Sequence, residues 1–171
     1  GSRVVRALLE HPTEAWRQKD LAEITHTSPA HVHKMVERLL QLDFVDRDTE
    51  GRACLREPGR LLDDWRGAYQ VMAHRLYHFY RWAQTIEQVR DQVHTHLQGA
   101  CVRYAFTQEA AVSLIAPYTA YDRVTVYLEA EEALSALPAP DWQPTETGAN
   151  VWVWVPQDGG VFDFGQEVAG L

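Results

Sequence analysis

The chain has 171 residues, of which 46% are apolar, 11% aromatic and 23% charged, a composition typical of soluble globular proteins and unlike that of disordered chains. No apolar run approaches the ~18 residues that a membrane span requires, and the first residues lack a signal-peptide pattern, so a cytoplasmic protein without a membrane partner is expected. The net charge of −8 argues against general affinity for nucleic acid.

The charge is divided unevenly along the chain. Residues 1–68 contain 11 of the 16 lysines and arginines and 12 of the 24 carboxylates, whereas residues 69–171 contain the other 5 cations and 12 carboxylates. The first segment is therefore near neutral, and such a segment can still present a basic face to a DNA duplex. We predict two domains with these bounds.

Both ends of the chain lead us to expect a longer native protein. Gly1-Ser2 begins the chain without a methionine and resembles a remnant of cloning, and residues 167–171 end in an abrupt apolar sequence. The second domain is therefore expected to be truncated. The two cysteines, Cys54 and Cys101, do not form a disulfide framework and are predicted to be buried free thiols.

In the first domain, the predicted elements follow the order of a winged helix-turn-helix. Ser28 followed by Pro29 is a strong start signal, because serine caps a helix and proline suits its first position. The turn before it, at 25–27, has the length that the motif requires. The predicted elements are helices at 3–10, 18–24, 29–41 and 58–67, a short strand at 15–17, and a β-hairpin with strands at 44–47 and 52–56.

The pattern Ser28-x-x-His-Val-His-Lys-Met-Val-x-Arg-Leu-Leu, followed by Asp43-Phe-Val-Asp-Arg-Asp, resembles winged-helix bacterial regulators. The resemblance covers residues 3–56. It implies that the capped helix reads the major groove of DNA and that the hairpin wing contacts the backbone or the minor groove.

The residues expected to contact DNA lie on the capped helix, around the hairpin turn and at the start of the second helix. A recognition helix presents its first two turns to base edges, and arginines beside a wing can reach a phosphate or the minor groove. The amides that open the second helix can also meet a phosphate. The predicted DNA-binding residues are Arg17, Lys19, Ser28, His31, His33, Lys34, Arg38, Arg47 and Arg52.

Each of these predictions has an alternative. The helix residues can form an ordinary solvated face, and the two hairpin arginines can pair with Asp46, Asp48 or Glu50. Asp43 adds to the negative charge around the wing, which opposes DNA contact.

The second domain is predicted to be a mixed-sheet α/β domain, which makes the whole chain α+β. Aromatic and β-branched alternation marks the strands, and apolar residues at helical spacing mark the helices. The predicted elements are strands at 75–82, 101–105, 122–128, 151–155 and 161–164, helices at 85–98, 107–115 and 130–137, and a loop at 138–148.

Three stretches of the second domain resemble the AbiEi family: Gly99-Ala-Cys-Val-Arg-Tyr-Ala-Phe-Thr-Gln-Glu-Ala-Ala, Ala116-Pro-Tyr and Val124-Thr-Val-Tyr-Leu. Members are antitoxins and transcriptional autoregulators of type IV toxin–antitoxin systems, with an N-terminal winged helix before a domain distantly similar to nucleotidyltransferases. The resemblance implies binding to inverted repeats in the protein's own promoter. It also implies a nucleotidyltransferase-type toxin as a functional partner, neutralised without a stable complex.

The carboxylates of the second domain do not form a catalytic pattern. Nucleotidyltransferase chemistry requires two or three carboxylates around Mg²⁺, typically Asp-x-Asp on a strand. Here the strand begins with Asp122, position 124 is a valine, and Asp163 is solitary. With no phosphate loop, nucleophile elbow or HExxH motif, we predict that the protein is not an enzyme and has no catalytic residue or cofactor.

Eight histidines and two cysteines raise the alternative of a metal sensor. His94 and His96 are two residues apart on a predicted helix and diverge, whereas ligand pairs on a helix need a separation of four. His74 and His78 have that separation, but on a predicted strand. Cys101 is the last candidate ligand and does not complete a set with these histidines. We therefore predict no metal site.

The second domain is rich in aromatic residues, and two interpretations stay open. Alternation places Trp152 and Trp154 on one face of a strand and valines on the other, which is typical of a core sheet covered on both faces. The same interpretation includes an exposed patch that missing C-terminal residues would cover. The alternative is an effector pocket in a ligand-responsive repressor. The residues available to such a pocket are Tyr77, Phe79, Tyr80, Trp82, Tyr104, Trp152 and Trp154.

We therefore predict a DNA-binding autoregulator that represses by occupying its operator. The acidic second domain is expected to orient neighbouring protomers in an oligomer or to keep the protein off non-specific DNA by repulsion. The alternatives are the ligand-responsive repressor and a protein-interaction module that never touches DNA.

Overall fold

The computed structural model describes residues 2–68, 74–137, 141–168 and 170 of a mixed α+β protein. The chain divides into two units, Gly1–Gln70 (unit 1) and Val71–Leu171 (unit 2). Among the described residues, no helix combines the length and the apolar character needed to cross a bilayer.

The described residues of unit 1 form four helices and a three-stranded antiparallel sheet, in which the third strand along the chain lies between the first and the second. Each helix and strand predicted for residues 3–67 is confirmed to within two residues at its ends. The elements are α1 (Ser2–Glu10), β1 (Ala15–Trp16), α2 (Gln18–Ile24), α3 (Pro29–Gln41), β2 (Val45–Arg47), β3 (Ala53–Leu55) and α4 (Pro58–Ala68).

The core of unit 1 is built from the apolar stripes of its helices. Val32 and Val36 of α3 are completely buried, as are Leu8 of α1 and Leu21 of α2. These side chains recur at three- and four-residue spacing, so each helix turns one face inward and leaves the opposite face to solvent. For α3, that opposite face is the predicted DNA-contacting face.

The described strands and α-helices of unit 2 are β4 (Arg75–Tyr80), α5 (Ile86–Gly99), β5 (Tyr104–Thr107), α6 (Gln108–Ile115), β6 (Val124–Leu128), β7 (Gln143–Pro144) and β8 (Val151–Val155). The strands form one sheet in the order β5-β6-β8-β4-β7, in which β6 and β8 are parallel and the other neighbours are antiparallel. Two 3₁₀ helices, Glu131–Ala136 and Gly159–Phe162, complete the described elements of this unit.

The predicted alternation along β8 is confirmed, and both faces of the strand are covered. Val151, Val153 and Val155 join the larger apolar cluster, which includes the inward face of α5. Trp154 packs with Tyr127 and other aromatic side chains in a second cluster. A strand that is apolar on both faces therefore lies inside unit 2.

The strand predicted at 161–164 is wrong. The first two residues of this segment belong to the 3₁₀ helix Gly159–Phe162. Asp158 caps this helix, because its Oδ1 accepts a hydrogen bond from the Gly160 amide at 2.7 Å. Phe162 is 9% exposed and packs in the cluster of Tyr127 and Trp154. Its side chain therefore covers the sheet instead of extending it.

The strand predicted at 101–105 begins three residues later, at Tyr104. Cys101 has a φ of +54°, and the Val102 amide donates to the Leu97 carbonyl at 3.0 Å. This αL termination of α5 delays the extended backbone. It also leaves Cys101 exposed. Cys54, in unit 1, is only half-buried, so the prediction that both cysteines are buried thiols is wrong.

The remaining differences in unit 2 are local. The helix predicted at 130–137 is a 3₁₀ helix, and the strand predicted at 75–82 ends at Tyr80. Part of the predicted loop, Gln143–Pro144, is strand β7 and pairs with β4, while residues 138–140 lie outside the described residues.

Candidate nucleic-acid interface

The turn between α2 and α3 is held by its own hydrogen bonds. His26 adopts a φ of +49°, and the Thr27 amide donates to the Ala22 carbonyl at 3.1 Å. Thr25 is fully buried, and its hydroxyl donates to the Leu21 carbonyl at 2.5 Å and lies 2.8 Å from the Thr27 hydroxyl. These contacts fix the direction in which α3 leaves α2.

The start of α3 is the predicted cap. The Ser28 hydroxyl accepts a hydrogen bond from the His31 amide at 3.2 Å, and Pro29 occupies the first helical position. The cap is exposed, so the positive end of the helix dipole faces solvent, where it favours an anion.

The outward face of α3 carries two cations without a carboxylate partner. Lys34 and Arg38 are exposed and one helical turn apart. Within the described part of the chain, neither forms an ion pair. His33 is exposed and its Nδ1 donates to the Gln18 side chain at 3.3 Å, whereas His31 is half-buried.

The hairpin arginines are occupied by carboxylates. Arg47 pairs with Glu37 of α3 at 2.5 Å and donates to the Gly51 carbonyl at 2.9 Å. Arg52 pairs with Asp48 at 2.7 Å and lies 3.6 Å from Glu50. The alternative of pairing within the hairpin is therefore confirmed for Arg52. Arg47 is paired too, but with a carboxylate of α3 that the alternative did not include.

Hydrogen bonding strengthens the pair at the hairpin turn. The Arg52 amide donates to Asp48 at 2.9 Å and the Arg52 guanidinium at 2.7 Å, and together they hold the pKa of the Asp48 carboxyl below its ordinary value. The same contact raises the pKa of Arg52. Both groups therefore stay charged at neutral pH, and a phosphate would have to displace Asp48 to reach Arg52.

The two predicted cations of the second helix are also paired. Arg17 lies 3.8 Å from Glu50, and Lys19 lies 3.8 Å from Glu23 of its own helix. All four side chains are more than half exposed, so these pairs are weak and salt can open them.

One residue of this surface was missed by sequence reasoning. Glu37 lies three residues after Lys34, on the same side of α3, and is the partner of Arg47. Its position relative to Lys34 and Arg38 was a usable signal, but only the folded hairpin shows which arginine it meets.

The arginines of unit 2 offer no comparable surface. All five arginines of this unit lie among the described residues, and each is within 4 Å of a carboxylate. Asp122, the carboxylate predicted to begin a strand, is the partner of Arg123 at 2.9 Å. Unit 2, which has no lysine, therefore has no unpaired cation to offer a phosphate.

The candidate metal ligands do not converge. His94 meets the Tyr104 hydroxyl, His96 donates to the Gln92 carbonyl at 2.8 Å, and the His78 ring lies 4.9 Å from that of Trp152. In the portion of the chain that the structure describes, no three ligand side chains come close enough to hold an ion.

The aromatic residues considered for an effector pocket are dispersed. Tyr80 and Trp82 line a cleft of about 290 Å³ together with Asp141. Trp152 lines a separate cleft of about 190 Å³ with His78. The remaining four are not among the lining residues of either cleft.

The environment of His74 leads us to expect that the stability of unit 2 depends on pH. Its ring stacks on Trp154 at 6.0 Å, and burial lowers its pKa from the ordinary 6.5. Because the pKa of His74 is lower in the folded chain, the unfolded chain binds a proton at this histidine at a higher pH than the folded chain does. The stability that His74 contributes in its neutral form above pH 6.5 is therefore lost as the pH falls below that value. We expect the melting temperature to fall between pH 7.5 and 5.5, and His74→Gln to reduce that fall.

The measurement is thermal unfolding of both proteins across this pH range, followed by circular dichroism. An equal fall in wild type and variant would show that other groups cause the effect.

No protein-family model, curated protein or solved structure matches the chain.

Proposed function

We propose that unit 1 is a winged helix-turn-helix domain that binds duplex DNA through α3, and that the protein is a transcription regulator. The element order, the fixed turn before α3 and the antiparallel hairpin after it support this proposal. In this proposal, α3 enters the major groove, and regulation requires no chemical reaction.

The observation that carries the proposal is that two cations on α3 have no carboxylate partner among the described residues. Lys34 and Arg38 share one exposed face, while the hairpin arginines are held by carboxylates. Arg60 also has no ion pair among the described residues, but its guanidinium lies over the Phe44 ring at 4.7 Å. Cations left free on one face of a helix are the contacts that a phosphate backbone requires.

The acidic unit 2 fits a role in limiting non-specific binding. Its arginines are all paired, so it repels the DNA backbone, and contact is restricted to unit 1. In the wider proposal, following the AbiEi resemblance, the protein is a cytoplasmic antitoxin that represses its own promoter. Its toxin would be a nucleotidyltransferase-type protein that it neutralises without a stable complex.

A gel-shift titration tests the DNA-binding proposal. We expect retardation of the DNA upstream of the protein's own gene, resistant to scrambled competitor and weakened by added salt. The control is a scrambled duplex of equal length. Equal retardation of both duplexes would contradict sequence-specific regulation, and no retardation of either would favour a protein-interaction module.

The ligand-responsive repressor is the second candidate, and the cleft beside Trp82 favours it. This cleft of about 290 Å³ is lined by Tyr80, Arg81, Trp82, Asp141 and Gln143, so it offers a small molecule two aromatic side chains together with polar groups. A ligand that binds there would raise the melting temperature of the protein.

A further inference from the structure

The proposed DNA interface contains a carboxylate that controls an arginine. Glu37 Oε1 accepts a hydrogen bond from Arg47 Nη2 at 2.5 Å, while Arg47 Nη1 donates to the Gly51 carbonyl at 2.9 Å. Through these two contacts, a single guanidinium connects α3 to the tip of the hairpin. The side chains of Glu37 and Arg47 are 42% and 37% exposed, so the pair lies at the surface.

We propose that Glu37 is a specificity-determining residue, because it withholds Arg47 from the DNA backbone. This inference rests on the proposed function. A free arginine at a wing tip contacts any phosphate, whatever the sequence, and so raises non-specific affinity. With Arg47 held by Glu37, the cations that remain available are Lys34 and Arg38, on the face that reads the groove.

The ion pair also neutralises the negative charge of Glu37, because the Arg47 guanidinium compensates it. Glu37 lies on the same side of α3 as Lys34, and without Arg47 its charge would repel an approaching phosphate. Arg47 is therefore a positioning residue: it orients the hairpin and compensates Glu37, and it does not contact DNA.

Salt dependence separates this role from direct contact. The test titrates a mixed-sequence duplex and the DNA upstream of the protein's gene with wild type, Glu37→Gln, Arg47→Gln and the double variant, at a series of salt concentrations. Each phosphate contact changes the slope of log Kd against log salt by about 0.9. Glu37→Gln frees Arg47, so we expect a slope steeper by about 0.9 and several-fold tighter binding to the mixed-sequence duplex. The preference for the upstream DNA falls accordingly.

The other variants complete the test. Arg47→Gln keeps the wild-type slope, and the double variant returns to it. Asp46→Asn is the matched control: it makes the same charge change and releases Arg56 from a 3.2 Å pair. Arg56 follows β3, at the end of the hairpin away from Gly51, so this variant keeps the wild-type slope. Melting curves of all variants are the check that each of them is folded.

Two results overturn the proposal while leaving DNA binding intact. They are an unchanged slope for Glu37→Gln, or a slope lower by about 0.9 for Arg47→Gln, which would mean that Arg47 already contacts a phosphate. Failure of the wild type to bind either duplex would instead reject the proposed function, and the role of Glu37 with it.

Discussion

Replacing both Lys34 and Arg38 by alanine is expected to weaken specific DNA binding by roughly 30-fold or more. Each contact of this kind contributes ~1–2 kcal/mol, and 1.4 kcal/mol corresponds to a tenfold change in Kd. Both side chains lie on the solvent face of α3, opposite the buried Val32 and Val36. Their removal therefore leaves the core of unit 1 unchanged, and the melting temperature should stay close to that of the wild type.

The measurement is a fluorescence-anisotropy titration at several salt concentrations. If both residues contact phosphates, the slope of log Kd against log salt falls by about 1.8. A matched control replaces two other exposed arginines, Arg66 and Arg75, which pair with Asp63 and Glu131. Equal loss of binding in both double variants would show that affinity follows net charge and that α3 is not the recognition helix.

Trp142→Ala is expected to destabilise unit 2 by about 3–5 kcal/mol, the usual effect of removing a large buried aromatic side chain. Trp142 is 1% exposed and lies in the larger apolar cluster. Its ring meets the edge of His96 at 5.4 Å and lies beneath the Arg81 guanidinium at 5.3 Å. The substitution therefore removes packing on several sides and leaves a cavity.

Urea unfolding followed by circular dichroism measures this effect. Trp142→Phe should cost only ~1–2 kcal/mol, because it fills most of the space and removes an indole N–H that has no hydrogen-bond partner among the described residues. Trp82→Ala is the control: this side chain is 70% exposed, so the change should stay within about 0.5 kcal/mol. Similar losses for both alanine variants would mean that Trp142 is not a core residue.

Local chemistry made unit 1 easier to predict than unit 2. Ser28 and Pro29 mark the start of α3 by capping and by fixed backbone geometry, which act within a few residues. The segment 161–164 shows the opposite case, since alternating Phe and polar residues favour a strand. The structure instead packs Phe162 against Trp154 and against Tyr127 of β6, which is distant in sequence. This packing outweighs the local preference.

The candidate interface divides in the same way. The sequence alone determined which face of α3 points outward, because apolar spacing on a helix leaves Lys34 and Arg38 opposite the buried stripe. Only the tertiary structure decided which cations are available. Arg52 and Asp48 belong to the same hairpin, so their pairing was already an alternative in the sequence. Glu37 belongs to α3 and comes within reach of Arg47 only when the hairpin folds beside that helix. Ion pairs form between atoms a few ångströms apart, and sequence separation does not fix such distances beyond the next turn of a helix or hairpin.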